Sequence, residues 1–334
     1  MLETNAHYLI FIVILLAVIF DFVNGFHDTA NAIATCVSTR AIPPAMAILM
    51  SAVLNFLGAM ISTGVAKTIG GDIVTSPEMV NEVIIIAGLA GAIAWNLMTW
   101  WIGMPSSSSH ALIGGIMGSV IASVGVVGLN LIGILKIVAS LILSPTIALV
   151  VGYLMLHLVY LLAHRFTPAR VNDTCNRLQV LSAALMAFAH GSNDAQKSMG
   201  IITLALLSGG YIGTLDVPLY VKILCALAMC LGTSVGGWKI IRTVGGKIFK
   251  MQPVHGFAAD LNSAVVIFSA TLLNLPVSTT HVVSGSIMGV GAAQRFKAVH
   301  WGVAQQMLAA WVLTIPYTAC MGAVAYLLVQ SVFH

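Results

Sequence analysis

Long apolar runs, each broken by a few isolated polar residues, recur from one end of the chain to the other. Stretches nearly free of charge occupy 7–20 (continuing past Asp21), 44–66, 83–103 and 299–329. Runs of 18 or more such residues exceed what the core helices of water-soluble domains need, and they suit a hydrocarbon layer of about 30 Å. Ten crossings are predicted, at 8–36, 44–66, 83–103, 110–127, 133–163, 179–207, 218–236, 255–274, 281–296 and 299–331. The first run is not read as a cleavable leader, because it lacks a basic n-region and runs into a polar motif rather than a small-residue cleavage site. The expected class is an all-α integral membrane protein of about 10–12 transmembrane or re-entrant helices.

The most polar break runs from His164 to Arg177, almost at the midpoint, and the two sides of it resemble one another. Asn24-Gly-Phe-His-Asp28 matches His190-Gly-Ser-Asn-Asp194, an offset of 166 (28 to 194). Thr68-Ile-Gly-Gly71 matches Thr243-Val-Gly-Gly246, and Pro105-Ser-Ser-Ser-Ser-His110 matches Pro276-Val-Ser-Thr-Thr-His281, offsets of 175 and 171. Matching motifs in one order at nearly constant spacing mark an internal duplication. The first repeat is placed at 1–165, a cytoplasmic linker at 166–178 and the second repeat at 179–334. Each copy holds five crossings, an odd number, so the second must enter from the opposite side.

Charge tests that inference. With loops alternating, one side receives Arg40, Arg165, Arg170, Arg177, Lys239, Arg242, Lys247, Lys250, Arg295 and Lys297, and the other only Lys67, Lys136 and Lys222. The positive-inside rule then puts the basic side in the cytoplasm and both termini outside a cytoplasmic (inner) membrane. The basic run 239–250 reads as an interfacial helix on anionic lipid. Inverted repeats around a midplane site are common among secondary transporters.

Composition narrows the classes further. The chain is 59% hydrophobic and 7% charged, against about a quarter charged in soluble domains. Its net +4 is scattered over loops, which does not suit a nucleic-acid partner. Cys36, Cys175, Cys225, Cys230 and Cys320 form no CxxC or CxxH pair, so neither a disulfide framework nor a metal site is assigned.

Candidate chemistry sits where polar groups enter the apolar runs. Asp21, Asp28 and Asp194 are carboxylates at bilayer depth, an expensive placement that marks function or pairing. Asp21, Asn24, His27, Asp28, Asn31, Asn193 and Asp194 are the candidates for the coupling ion, either Na+ on hard oxygen ligands or a proton. A single helix over 8–36 would run about 43 Å, so a break is expected near Asn24-Gly25. Proline in each Ser/Thr motif is expected to stop the incoming helix, and the hydroxyls to cap the outgoing one, leaving a helix N-terminus inside the bilayer ready for an anion. Ser107, Ser108, Ser109, Ser278, Thr279 and Thr280, with Asp28 and Asp194, are therefore the candidate oxyanion ligands. An ionised aspartate accepts a hydrogen bond from the P–OH of phosphate, which sulfate lacks, so phosphate is favoured. Lys197, three residues after Asp194, is read as its local ion-pair partner, and His110 and His281 as further candidates.

Through these residues the chain resembles the inorganic phosphate transporter (Pit) family, whose motifs stand here as NGFHDTAN, HGSNDAQKSMG, PSSSSH and PVSTTH. The resemblance covers nearly the whole chain and implies symport of inorganic phosphate with H+ or Na+, no cofactor, and a homodimer. In some bacterial members a divalent metal travels with phosphate as a neutral complex. His27 stands where the family's first motif commonly has Asn, which supplies a titratable group and tilts the expectation to H+. The alternatives are a permease for sulfate or arsenate, an anion channel, and an intramembrane hydrolase using Ser, His and Asp.

Overall fold

The computed structural model describes residues 2–333, and its elements are helices. The first half contributes α1 (Leu2–Ser38), α2 (Pro44–Ala59), α3 (Gly64–Asp72), α4 (Glu82–Ile102), α5 (Ser108–Val124) and α6 (Leu131–Ala163). The second contributes α7 (Pro168–Ser208), α8 (Leu219–Val235), α9 (Trp238–Gly246), α10 (Pro253–Leu272), α11 (Thr279–Arg295) and α12 (Trp301–Phe333). Element for element the two runs agree: one very long helix, a sharply bent pair, then three more helices. The bends are 69° between α2 and α3 and 76° between α8 and α9.

The halves interlock rather than sit side by side. α1 packs on α8 and α9 of the other half, and α7 correspondingly on α2 and α3; α5 packs on α12 and α11 on α6. Among the described residues four helices are long and apolar enough to cross a membrane alone, and each bent pair counted as one span raises this to six. α7 falls outside that count because its middle is polar, yet that polar middle is buried in protein. The outer faces of α6 and α12 present Ile132, Leu135, Ile142, Val312 and Leu328, as lipid-facing helices must.

Three expectations need correction. α1 is continuous through Asn24-Gly25, so no backbone carbonyls are released there. Gly25 instead permits contact: a Cβ on it would meet the Met229 carbonyl oxygen at 2.5 Å, and one on Gly232 would meet that of Phe22 at 2.0 Å. The glycine is there because backbones cross, and α8 braces the helix at the point where composition alone would weaken it. Secondly, the run 44–66 is not one continuous helix. It turns at Met60–Thr63, and the start of α3 is held by Gln196 Oε1, which accepts from the N–H of Val65 (2.8 Å) and Ala66 (3.2 Å). Thirdly, proline does not end the helices before the Ser/Thr motifs. Gly103 (φ 78°) follows the last turn of α4, and Asn274 (φ 58°) lies just beyond α10, both left-handed stops ahead of Pro105 and Pro276.

The polar segment around the midpoint is mostly helix. α7 begins at Pro168 and only 164–167 stays non-helical. At one end of the molecule Lys67 meets Asp216 (2.6 Å), Lys136 meets Asp72 (3.1 Å), and His7 near the start of α1 hydrogen-bonds Tyr211 (2.9 Å). The Lys67 hydrogen bond holds the exposed Asp216 carboxyl below the usual carboxylate range. At the other end Ser38, the last residue of α1, donates to the Gly245 carbonyl of α9, and Lys239 donates to Trp101 O at 2.7 Å.

Candidate functional site

On α1 the spacing Asp21, Asn24, Asp28, Asn31 repeats every three or four residues and so shares one helix face. On α7 the corresponding stripe is His190, Asn193, Asp194 and Lys197. The fold turns both stripes inward toward the starts of α5 and α11. Apart from His110, at 5%, none of the predicted site residues is more than 2% exposed, so the group is closed to solvent on every side.

Both Ser/Thr motifs form helix N-termini. Ser107 caps α5 by accepting from His110 N–H (3.2 Å), and Ser278 caps α11 by accepting from His281 N–H (3.4 Å). The two ends adjoin: Ser109 Oγ donates to Val277 O at 3.1 Å, and the His110 and His281 rings lie 4.6 Å apart. First-turn N–H groups have no acceptor within their own helix, and the positive ends of two helix dipoles favour negative charge between them.

Each aspartate meets the second motif. Thr280 Oγ1 donates to Asp28 Oδ1 (3.0 Å) and accepts from Asn31 Nδ2 (2.9 Å). Thr279 Oγ1 donates to Asp194 Oδ2 (3.0 Å), while Lys197 Nζ donates to Asp194 Oδ1 (2.5 Å), Ser109 Oγ (2.5 Å) and Val277 O (2.9 Å). A histidine backs each carboxylate. His27 Nδ1 is 2.7 Å from Asp28 Oδ1 and its Nε2 is 3.1 Å from Thr99 Oγ1; His190 Nε2 is 3.3 Å from Asp194 Oδ2. Asn193 ties α7 to the segment before α11, donating to Thr271 Oγ1 (3.0 Å) and accepting from Val277 N–H (3.2 Å).

Some predicted residues stand apart. Asp21 is linked to Ser198 (2.6 Å), not to the Asp28 group. Ser107 and Ser278 spend their acceptor capacity on caps, and Ser107 also contacts His110 Nδ1 at 2.8 Å. Asn24, Ser108, Asn31 Oδ1 and Asp21 Oδ2 are buried without a hydrogen-bond partner. Such orphaned groups carry a desolvation cost unless something else satisfies them. Among the described residues no group of three His, Cys, Asp or Glu could hold a metal ion.

Other polar residues at the site lie outside the predicted set. Asn55 donates to Thr29 and Thr233 (3.0 Å each) and faces His190 Nδ1 (3.0 Å), joining α1, α2, α7 and α8. Thr99 and Ser106 continue the chain from His27 (2.8 Å between them). Asp260 on α10 accepts from Thr35 and from Gln179 (3.3 Å). Asp260 lies inside the apolar run 255–274, so the signal that marks Asp28 was present for it too. His281 stacks on Trp311 at 3.9 Å and, with His110, borders an apolar cavity of about 500 Å³ between α6 and α12.

Two buried carboxylates thus lie against paired helix N-termini in a fold rich in long apolar helices, and comparison with known proteins places this fold. The chain belongs to the phosphate transporter family, whose model matches residues 24–168 and 162–322. It is 53% identical over 324 residues to a protein of Bacillus subtilis named "Probable low-affinity inorganic phosphate transporter", covering 96% of this chain and 97% of that one. A protein of the same name from Rhizobium meliloti is 46% identical, with 94% of each chain covered. A solved structure described as "The sodium-dependent phosphate transporter" superposes with a TM-score of 0.88 at 26% identity, over 97% of this chain and 99% of that one. The chain is therefore a multi-pass membrane transport protein and not an enzyme.

Proposed function

We propose that this chain imports inorganic phosphate across the cytoplasmic membrane as a symporter driven by H+ or Na+, by alternating access. The observation that carries this reading is the closed junction of the α5 and α11 N-termini with Asp28 and Asp194. The hydroxyls of Ser107–Ser109 and Ser278–Thr280 and the first-turn N–H groups hold the phosphate oxygens. Asp28 and Asp194 accept its P–OH. Asp21, Asn24, His27, Asp28, Asn31, Asn193 and Asp194 handle the coupling ion. A site buried from both faces suits a carrier, which exposes its cargo to one side at a time, better than a channel. The two halves act as inverted repeats about this junction, with both termini outside and a homodimer as the working unit. His27 against Asp28 gives the proton a resident carrier, while the orphaned amide oxygens and Asp21 Oδ2 suit Na+.

The test is uptake of radiolabelled phosphate into proteoliposomes under a Na+ gradient and under a pH gradient, imposed separately. Accumulation under either establishes the symporter and names the coupling ion. No accumulation under both, with folded reconstituted protein, overturns the reading. Sulfate and arsenate are added as competitors to fix the anion.

A further inference from the structure

Lys197 is a basic residue buried within the helical core, 1% exposed, and the internal duplication gives it a counterpart of different charge. The offset of 166 that relates Asp28 to Asp194 relates Asn31 to Lys197. The two residues make equivalent contacts. Asn31 Nδ2 donates to Thr280 Oγ1 (2.9 Å), and Lys197 Nζ donates to Ser109 Oγ (2.5 Å), the hydroxyl 171 positions earlier in the matching Ser/Thr motif. Each stands beside the aspartate of its own half.

The surroundings of the ammonium resemble a cation site. Its three acceptors are a carboxylate oxygen (Asp194 Oδ1, 2.5 Å), a hydroxyl (Ser109 Oγ, 2.5 Å) and a backbone carbonyl (Val277 O, 2.9 Å). Those are the hard oxygen donors that alkali and alkaline-earth cations take. An ammonium has three N–H donors, and all three are used, so none is left to bind an anion unless an existing bond breaks. In the first half the corresponding oxygens are Asp28 Oδ1 and Thr280 Oγ1, and here Asn31 Oδ1 and both side-chain polar atoms of Asn24, its Oδ1 and Nδ2, remain buried and unpartnered. Acceptors without a donor beside a carboxylate call for a cation; on the second side Lys197 supplies one covalently.

We propose that Lys197 is a tethered cation. It fills the oxygen cage of the second half whose first-half counterpart takes the coupling ion, so phosphate is carried with one mobile cation fewer than two equivalent halves would use. This rests on the symport reading above. Lys197 acts as a positioning residue for Asp194 and the α5 terminus and sets the number of coupled cations rather than touching phosphate.

The test is equilibrium binding of radiolabelled phosphate to the purified full-length protein across a Na+ titration at fixed pH, for the wild type, Lys197→Asn and Lys197→Arg. For Lys197→Asn, which restores the first-half residue, the slope of log affinity against log Na+ concentration is expected to rise by about one over wild type. Lys197→Arg, which keeps the charge, is expected to retain the wild-type slope. A wild-type slope near two overturns the proposal without reference to any variant, which covers the case of a Lys197→Asn chain that does not fold. A folded Lys197→Asn protein with an unchanged slope overturns it. So does loss of phosphate binding at every Na+ concentration, because the ammonium would then be holding the anion itself. Wild-type protein that binds no phosphate would sink the symport reading instead.

Discussion

At the residue scale the site is a pair of buried carboxylates, each held by a threonine hydroxyl of the second motif and backed by a histidine. Both aspartates were legible in the sequence because an ionisable residue is costly inside an apolar run and stays there only for function or pairing. Thr279, Thr280 and Lys197, which contact them, lie in motifs the sequence also marks, but the residues behind these were not legible, since Thr99, Asn55 and Thr233 are small polar residues that any membrane helix tolerates singly. Asp28→Asn and Asp194→Asn are expected to lower phosphate uptake at least about 100-fold, the scale of breaking a buried charged interaction. Membrane insertion should be intact, as judged by the amount of protein in the membrane fraction, and full uptake by both variants would sink the site assignment. His27→Asn separates the coupling ions. It removes the titratable group from Asp28 and supplies an amide oxygen, so uptake driven by a pH gradient should fall while uptake driven by Na+ rises. Unchanged pH-driven uptake would show that His27 only orients Asp28.

At the element scale, hydrophobic run length predicted where helices lie but not how they bend or stop. The turn at Met60–Thr63 depends on Gln196, a residue 131 positions from Val65, and no local pattern could reveal it. Gly25 looked like a weak point because glycine lowers helix propensity. Its actual role needs the other half of the chain, since Gly25 and Gly232 let α1 and α8 touch. The matching crossing of α2 and α7 uses Gly58 and Gly191, where an added Cβ would meet the carbonyl oxygens of Phe188 and Asn55 at 2.2 Å each. Gly232→Leu and Gly58→Leu should therefore each destabilise the fold by about 1–3 kcal/mol or more through overpacking against backbone. A lowered melting temperature in detergent is the readout. Leucine at Gly213, where an added Cβ has nothing within 4 Å, is the control expected to melt like wild type.

At the scale of the whole molecule, the proposed duplication makes a prediction that either topology could fail. Under it Lys67 and Arg242 would occupy the same repeat position, offset by 175, and both are exposed. Lys67 sits with Asp216 near the start of α1, where His7 meets Tyr211, whereas α9, which bears Arg242, meets the end of α1 at Ser38. From His7 to Ser38, α1 rises about 47 Å, more than the thickness of a hydrocarbon core. Positions that the proposed repeats would make equivalent thus lie at opposite ends of one membrane-length helix, the relation an inverted arrangement requires and a parallel one forbids. Lys239 lies at the Arg242 end and Lys67 and Lys136 at the other, and the orientation proposed above puts the Arg242 end in the cytoplasm. Single cysteines are introduced at these two positions, in a background lacking the native five. Lys67→Cys should react with a membrane-impermeant maleimide in right-side-out vesicles, and Arg242→Cys only in inverted ones. Labelling of both from the same face would rule out the inverted arrangement, and reversal of the two faces would refute the orientation while leaving the inversion standing.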